Sequence, residues 1–364
     1  MRIVVKLGTS TLTGGTPHLN RQRMLEIVQQ VAVLHQQGHA MVLVSSGAQA
    51  AGRETLGFPD FGRTLPVKQM LSAVGQGRLM HYYSELFEIF NIAVGQVLLT
   101  RDDLTHRTRY LNCRDTLDAL IEQRIIPIIN ENDTTATSEI KVGDNDNLSA
   151  MVATTIEAGL LVIITDMPGL FTADPRKKPD AQLISVVERI DEATYALAGG
   201  TSTGLGTGGM VTKIEAAHTA SRGGIPTVLA SGKTPDVLLR VVAGDAIGTR
   251  FAPISTPLES RKRWLLTDTP QGAVKIDAGA VKVLNNGKSS LLPVGVTAIV
   301  GDFERGATVS IVDLAGAQLA HGMCNYSADE LRQLVGVKSD RIAELLGYTY
   351  GDYVIHRNNM VMLT

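Results

Sequence analysis

Six short apolar runs, interleaved with stretches of helical periodicity, occupy the first 255 residues: IVVKLG (3–8), AMVLVSSGA (40–48), VGQVLLT (94–100), IIPIIN (125–130), LLVIITD (160–166) and PTVLASG (226–232). Runs this continuously apolar read as strands buried on both faces, as in a parallel sheet. Between the first two, Met24, Ile27, Val28, Val31 and Leu34 share one face of a predicted helix over 20–37, with Asn20 placed to cap it and Gly38 to stop it. Segments 66–90, 109–123, 146–158 and 209–223 repeat the pattern. This alternation predicts an α/β sheet covered on both faces, and ligands of such sheets sit beyond the C-terminal ends of the strands.

The pattern changes near PISTPLESRKRW (253–264), where prolines, polar residues and a basic triplet read as a linker. The expected domain is 1–255, the linker 256–269 and a second, mainly β unit 270–364. That unit has short alternating runs (AVKIDAGAVKVL, GVTAIVG, ATVSIVD) and one expected helix near 327–335, with Ser327 and Glu330 spaced as a capping box. A net charge of −2 over 364 residues gives no push toward nucleic acid or acidic membranes. Cys113 and Cys324 have no metal-type spacing and read as packing residues in a reducing compartment. With no signal-peptide pattern and no apolar stretch of spanning length, the expected location is the cytosol.

The polar residues gather where the strands end. Nine of the 22 residues in INENDTTATSEIKVGDNDNLSA (129–150) are Asp, Glu or Asn, directly after an apolar run. They suit either a solvated loop or a site for a small charged ligand. Lys6 interrupts the first run just before Gly8, where its stem could snorkel to solvent or its ammonium could meet phosphate. The second run ends in Ser46 and Gly47, the fifth in Thr165 and Asp166, with Asp174 further on. In GGTSTGLGTGGMVTK (199–213), Gly204, Gly206 and Gly209 match a dinucleotide fingerprint formally, but follow a helix-like segment late in the domain, which excludes that reading. A glycine cradle at a helix start that carries Lys213 suits phosphate instead. SGKT (231–234) is no P-loop, because Thr227 stands at its required first glycine. No G-x-S-x-G elbow or zinc spacing is present. Two lysines, a glycine cradle and a group of carboxylates and amides fit phosphoryl transfer, where catalysis is mainly positioning and charge neutralisation. A carboxylate acceptor, with a pKa of about 4.3, needs no base, only relief from anion–anion repulsion.

In this order, VVKLGTS, VSSGAQAAGRE, PIINENDTTATSEIKVGDNDNLSA, ITDMPGLFTADP and GLGTGGMVTK resemble the amino-acid kinase family, and within it the bacterial branch that phosphorylates the γ-carboxylate of glutamate at the start of proline synthesis. The tail (KSSLLPVGV, GDFERGATVSIVD, AHGMCNYSADEL) resembles a PUA domain. The resemblance implies a three-layer α/β/α kinase domain with a mainly parallel sheet, plus the small β domain. It implies that Lys6 and Lys213 neutralise the transferring phosphoryl group and that Asp146 holds both lysines. Ser46, Asp133 and Asn145 would bind glutamate, with Gly47, Asn130 and Asp144 as neighbours. Lys6, Thr165, Asp166 and the stretch Thr207, Gly208, Gly209, Met210, Val211, Thr212 and Lys213 would contact ATP. No metal ligand is expected on the protein, because Mg2+ is held mainly by ATP phosphates and water. Glu139 with Lys141 reads as a solvated turn. Proline as inhibitor, a homo-oligomer and handover of product to glutamyl phosphate reductase are further implications. The alternatives are a related kinase for aspartate, N-acetylglutamate or carbamate, or an RNA-linked protein, suggested by the PUA-like tail and the RKR at 261–263.

Overall fold

The computed structural model describes residues 1–58, 60–62, 64–136, 145–199, 209–286 and 289–363. The chain divides into two compact units, Met1–Thr105 with Asn112–Thr256, and His106–Leu111 with Pro257–Thr364. All six apolar runs form strands in the first unit: β1 (Arg2–Leu7), β2 (Ala40–Ser45), β3 (Val94–Leu99), β4 (Ile126–Glu131), β5 (Leu160–Thr165) and β7 (Thr227–Ser231). Two short strands, β6 (Val186–Val187) and β8 (Thr249–Phe251), were not foreseen; at two and three residues they carry too little periodicity to read. The eight strands make one sheet in the order β3-β4-β2-β1-β5-β7-β8-β6. Every pairing in it is parallel except β7 with β8. β1 lies between β2 and β5, with Lys6 opposite Val44 on one side and Ile163 on the other. The chain therefore builds outward from one side of β1 and then crosses to the other, which makes its C-terminal end a topological switch point.

Side-chain alternation along β1 sorts the two faces. Ile3, Val5 and Leu7 pack with helices Arg21–Gln36, Ala48–Thr55 and Leu65–Glu88. Val4 packs on the opposite face, where helices Asn145–Thr155 and Met210–Arg222 contribute Leu148, Val152, Val211 and Ile214. Lys6 shares the parity of Val4, so the strand's own pleat aims its ammonium at the starts of those two helices.

Helices Ala48–Thr55 and Leu65–Glu88 meet backbone to backbone. A methyl group on Gly75 would lie 1.8 Å from the Ala48 carbonyl oxygen, and one on Gly52 2.0 Å from that of Leu71. Both clashes are with backbone, so neither is relieved by a rotamer change. Gly75→Ala is expected to destabilise the unit by on the order of 3 kcal/mol, the upper range for overpacking, and a denaturant titration measures it. The turn into the first of these helices is Gly47, at φ +107°, a conformation that side-chain-bearing residues rarely adopt.

The second unit contains a five-stranded sheet: β9 (Ala273–Ile276), β10 (Val296–Val300), β11 (Thr308–Val312), β12 (Gln318–Met323) and β13 (Met360–Met362), in the order β10-β9-β11-β12-β13. The expected helix is present as Ala328–Leu334, with the Ser327–Glu330 capping box. Two stretches differ from expectation. The segment read as a linker contains the helix Pro257–Thr267. The run AVKIDAGAVKVL is strand only as far as Ile276, because Asp277 accepts from the Ala280 N–H and caps a helix, Ala278–Asn285. The unit also takes in His106–Leu111: Arg107 pairs with Asp268 at 3.0 Å and donates to Thr308 at 2.9 Å, while Leu111 packs on Leu265 and Met323. Among the described residues no helix is long and apolar enough to cross a membrane. Cys113 and Cys324 are both buried, which pushes their thiols well above the usual range.

Candidate active site

One carboxylate joins the two lysines. Asp146 sits in the first turn of helix Asn145–Thr155, is 2% exposed, and meets Lys6 Nζ at 2.6 Å through Oδ1 and Lys213 Nζ at 3.1 Å through Oδ2. The Lys6 contact is an ion pair rather than a well-angled hydrogen bond. Thr212 Oγ1 donates to Asp146 Oδ2 at 2.7 Å, and Lys213 Nζ donates to the Gly209 carbonyl at 2.8 Å. Burial works against the charge of Asp146, but the Lys6 and Lys213 ammonium groups, with the Thr212 hydroxyl, hold its carboxyl below the usual range. Two ammonium groups against one carboxylate leave these three side chains net positive, an arrangement suited to an incoming phosphoryl group.

A chain of amides adjoins it. Asn145 Nδ2 donates to Ser46 Oγ at 2.8 Å and to Asn130 Oδ1 at 2.9 Å. Asn130, nearly buried in β4, donates through Nδ2 to Gln76 Oε1 at 2.8 Å. The Ser46 N–H donates to the Leu7 carbonyl, which ties the end of β2 to that of β1. Among the described residues Asn145 Oδ1, which is buried, has no hydrogen-bond partner. Asp133 lies half-buried in the turn after β4. Burial raises its carboxyl above the usual range; the Ser72 hydroxyl, close by but outside good hydrogen-bond geometry, opposes this in part.

Thr165 ends β5 buried and donates to the exposed Asp166 at 3.0 Å. Met210 and Val211 open the helix that carries Thr212 and Lys213. Asp144, Thr207 and Gly208, like Glu139 and Lys141, lie outside the described residues. The sequence reading missed the contribution of helix Leu65–Glu88. Gln69 Nε2 donates to the Thr134 and Ala136 carbonyls at 3.4 Å each, Ser72 approaches Asp133, and Gln76 holds Asn130. Their positions, three and four residues apart, form a polar stripe on one helical face, a signal present in the sequence.

Residues 1–231 match the Amino acid kinase family. The chain belongs to that family and, within it, to the glutamate 5-kinases. It is 52% identical to glutamate 5-kinase of Deinococcus radiodurans over 363 residues, covering all of both chains. It is 54% identical to that of Herpetosiphon aurantiacus, covering 99% of this chain and 98% of the other, and 52% identical to that of Sodalis glossinidius with the same coverage. Residues 272–346 match the PUA domain. Carbamate kinase from Giardia lamblia bound to AMP-PNP shares the fold at a TM-score of 0.50 and 17% identity, over 69% of this chain and 98% of that one. The three-layer amino acid kinase fold, with a mainly parallel sheet and a separate β-rich PUA unit, is thus that of the family.

Proposed function

We propose that this chain transfers the γ-phosphoryl group of MgATP to the γ-carboxylate of glutamate, forming γ-glutamyl phosphate. The observation that supports this reading best is Lys6 and Lys213 on opposite oxygens of the single carboxylate of Asp146. The acceptor is ionised at neutral pH, so the barrier is mainly the approach of two anions, and the paired ammonium groups lower it. Asp146 is already engaged by both lysines and Thr212, which suits an orienting role rather than that of a base. Glutamate takes the amide side of the site: Ser46, Asn130 and Asn145 offer hydrogen bonds, and Asp133 pairs with its ammonium group. Thr165, Asp166, Met210 and Val211 line the ATP side. Mg2+ arrives with the nucleotide and keeps phosphate and water ligands, as that ion prefers. The product is a labile acyl phosphate, so a reductase that takes it at once is the expected next partner. Proline, which shares glutamate's α-amino acid end in cyclised form, is the expected inhibitor, and a homo-oligomer the expected working state.

The test is ADP release with glutamate as acceptor, and hydroxylamine trapping of the acyl phosphate, set against aspartate and N-acetylglutamate. Turnover with N-acetylglutamate in preference to glutamate would overturn the acceptor assignment, because acetylation removes the charge that Asp133 is assigned to pair. Asp133→Asn should raise the glutamate KM about 10–100-fold, as expected for a hydrogen bond to a charged group, with kcat much less affected. The sign of the pH effect follows from the raised pKa of Asp133: its carboxylate is lost as pH falls through that value, so the wild-type glutamate KM rises on the acid side. Asparagine at 133 should remove this part of the pH profile; steady-state kinetics across pH would show it.

A further inference from the structure

We propose that Thr212 is a positioning residue for the phosphoryl-transfer step: its hydroxyl locks the Asp146 carboxylate in the orientation that keeps Lys6 on one oxygen and Lys213 on the other. The position lies within the stretch assigned to ATP contact, yet its polar atom is directed elsewhere. Thr212 is 6% exposed, and Oγ1 has one proton with two acceptors in reach, Asp146 Oδ2 at 2.7 Å and the Gly209 carbonyl at 3.2 Å. The shorter contact, to the charged acceptor, takes the proton.

The geometry explains why a third anchor matters. Lys213 Nζ divides itself between Asp146 Oδ2 and the Gly209 carbonyl, and Lys6 contacts Oδ1 without good hydrogen-bond alignment. Neither lysine alone defines the rotation of the carboxylate plane. Thr212 does, because its side chain is β-branched, stiff about χ1 and held in the first turn of helix Met210–Arg222. The same turn carries Lys213, so one helix start supplies both a lysine and the group that orients that lysine's counter-charge. Asp146 is fastened from its own helix too, where Ser149 Oγ donates to its backbone carbonyl at 2.5 Å. Backbone and carboxylate are thus fixed by different helices.

The inference rests on the proposed roles of the two lysines, and Lys213→Ala serves as the reference that separates them. Thr212→Val keeps shape and removes the hydroxyl; Thr212→Ser keeps the hydroxyl and removes the methyl. The expected result is a kcat reduced on the order of tenfold in Thr212→Val, the loss of about one charge-assisted hydrogen bond, with glutamate and ATP KM values within about twofold of wild type. Thr212→Ser should recover most of kcat. Thermal denaturation of each variant shows whether it is folded, and Thr212→Ala, which cannot overpack, repeats the kcat measurement if the valine variant is unfolded. Unchanged kcat in Thr212→Val, beside a strongly impaired Lys213→Ala, would overturn the role of Thr212 and leave the lysine mechanism standing. A raised ATP KM at constant kcat would assign the hydroxyl to nucleotide. Equal impairment of the valine and serine variants would show that the hydroxyl by itself does not sustain turnover, and would overturn the proposal. Full activity in Lys213→Ala would overturn the reading on which it rests.

Discussion

Lys6→Ala should lower kcat by about 10²–10³-fold, the loss typical of removing one preorganised group from developing transition-state charge, while the glutamate KM moves far less. Lys6 is 5% exposed and sits one residue from the end of β1, so its charge acts in a setting that water screens weakly. The reaction joins an anionic acceptor to an anionic donor, and the two ammonium groups are the cations the described site provides for that encounter. Arginine should not restore activity. Lys6 Nζ meets a single oxygen of Asp146 at 2.6 Å as a compact point charge, and a guanidinium spreads its charge over a planar fork that does not reproduce that contact. Steady-state kinetics of the alanine and arginine variants, at saturating glutamate and ATP, decide this. Alanine at position 6 with wild-type turnover would remove the proposed mechanism.

Asp146→Ala should damage stability and turnover together. It leaves Lys6 and Lys213 without their shared counter-charge, and breaking a buried ion pair by deleting one partner costs about 3–5 kcal/mol. Turnover should fall by about 10²-fold or more, because both ammonium groups lose the anchor that sets their separation. Asp146→Asn keeps shape and an acceptor for Thr212 but removes the charge, so it should fall between alanine and wild type in stability. The pH dependence has a definite sign. Asp146 is held below the usual carboxylate range, so its contribution is fully present above the unfolded pKa of ~3.9 and is lost as pH falls through the lower folded value. The stability gap between wild type and Asp146→Ala should therefore stay constant from neutral pH to about pH 5, and close only in strong acid. Denaturant midpoints measured across that range check it, and a gap that closes near neutral pH would contradict the assignment.

Much of the fold is legible because it is local. The near-continuous apolarity of IVVKLG or LLVIITD marks a strand with both faces covered, and Met24, Ile27, Val28, Val31 and Leu34 mark one helical face, whatever surrounds them. β6 and β8 were invisible since two or three residues hold no period, and Ala278–Asn285 was read as strand because its apolar residues also alternate in part. Within the site, Lys6 and Lys213 stood out by position, one at a strand end and one at a helix start. The pairing of both with Asp146 was implied by resemblance, not by spacing.

The sequence alone determines that this chain forms a parallel α/β sheet with polar groups massed at its strand ends, and its motifs carry the family. Tertiary structure alone decides which of those groups touch. Periodicity gives the face on which a side chain emerges but not what stands opposite, which depends on strand register and on how helices seat on the sheet. Thus Lys6, Asp146 and Lys213, from three separate elements, converge because β1 lies at the switch point and two helices start above it. Gln76 reaches Asn130 because Gly52 and Gly75 let two helices close to backbone contact, and Arg107 pairs with Asp268 at a sequence separation of 161 residues. Contacts at that range are set by the packing of whole elements, and no local pattern encodes them.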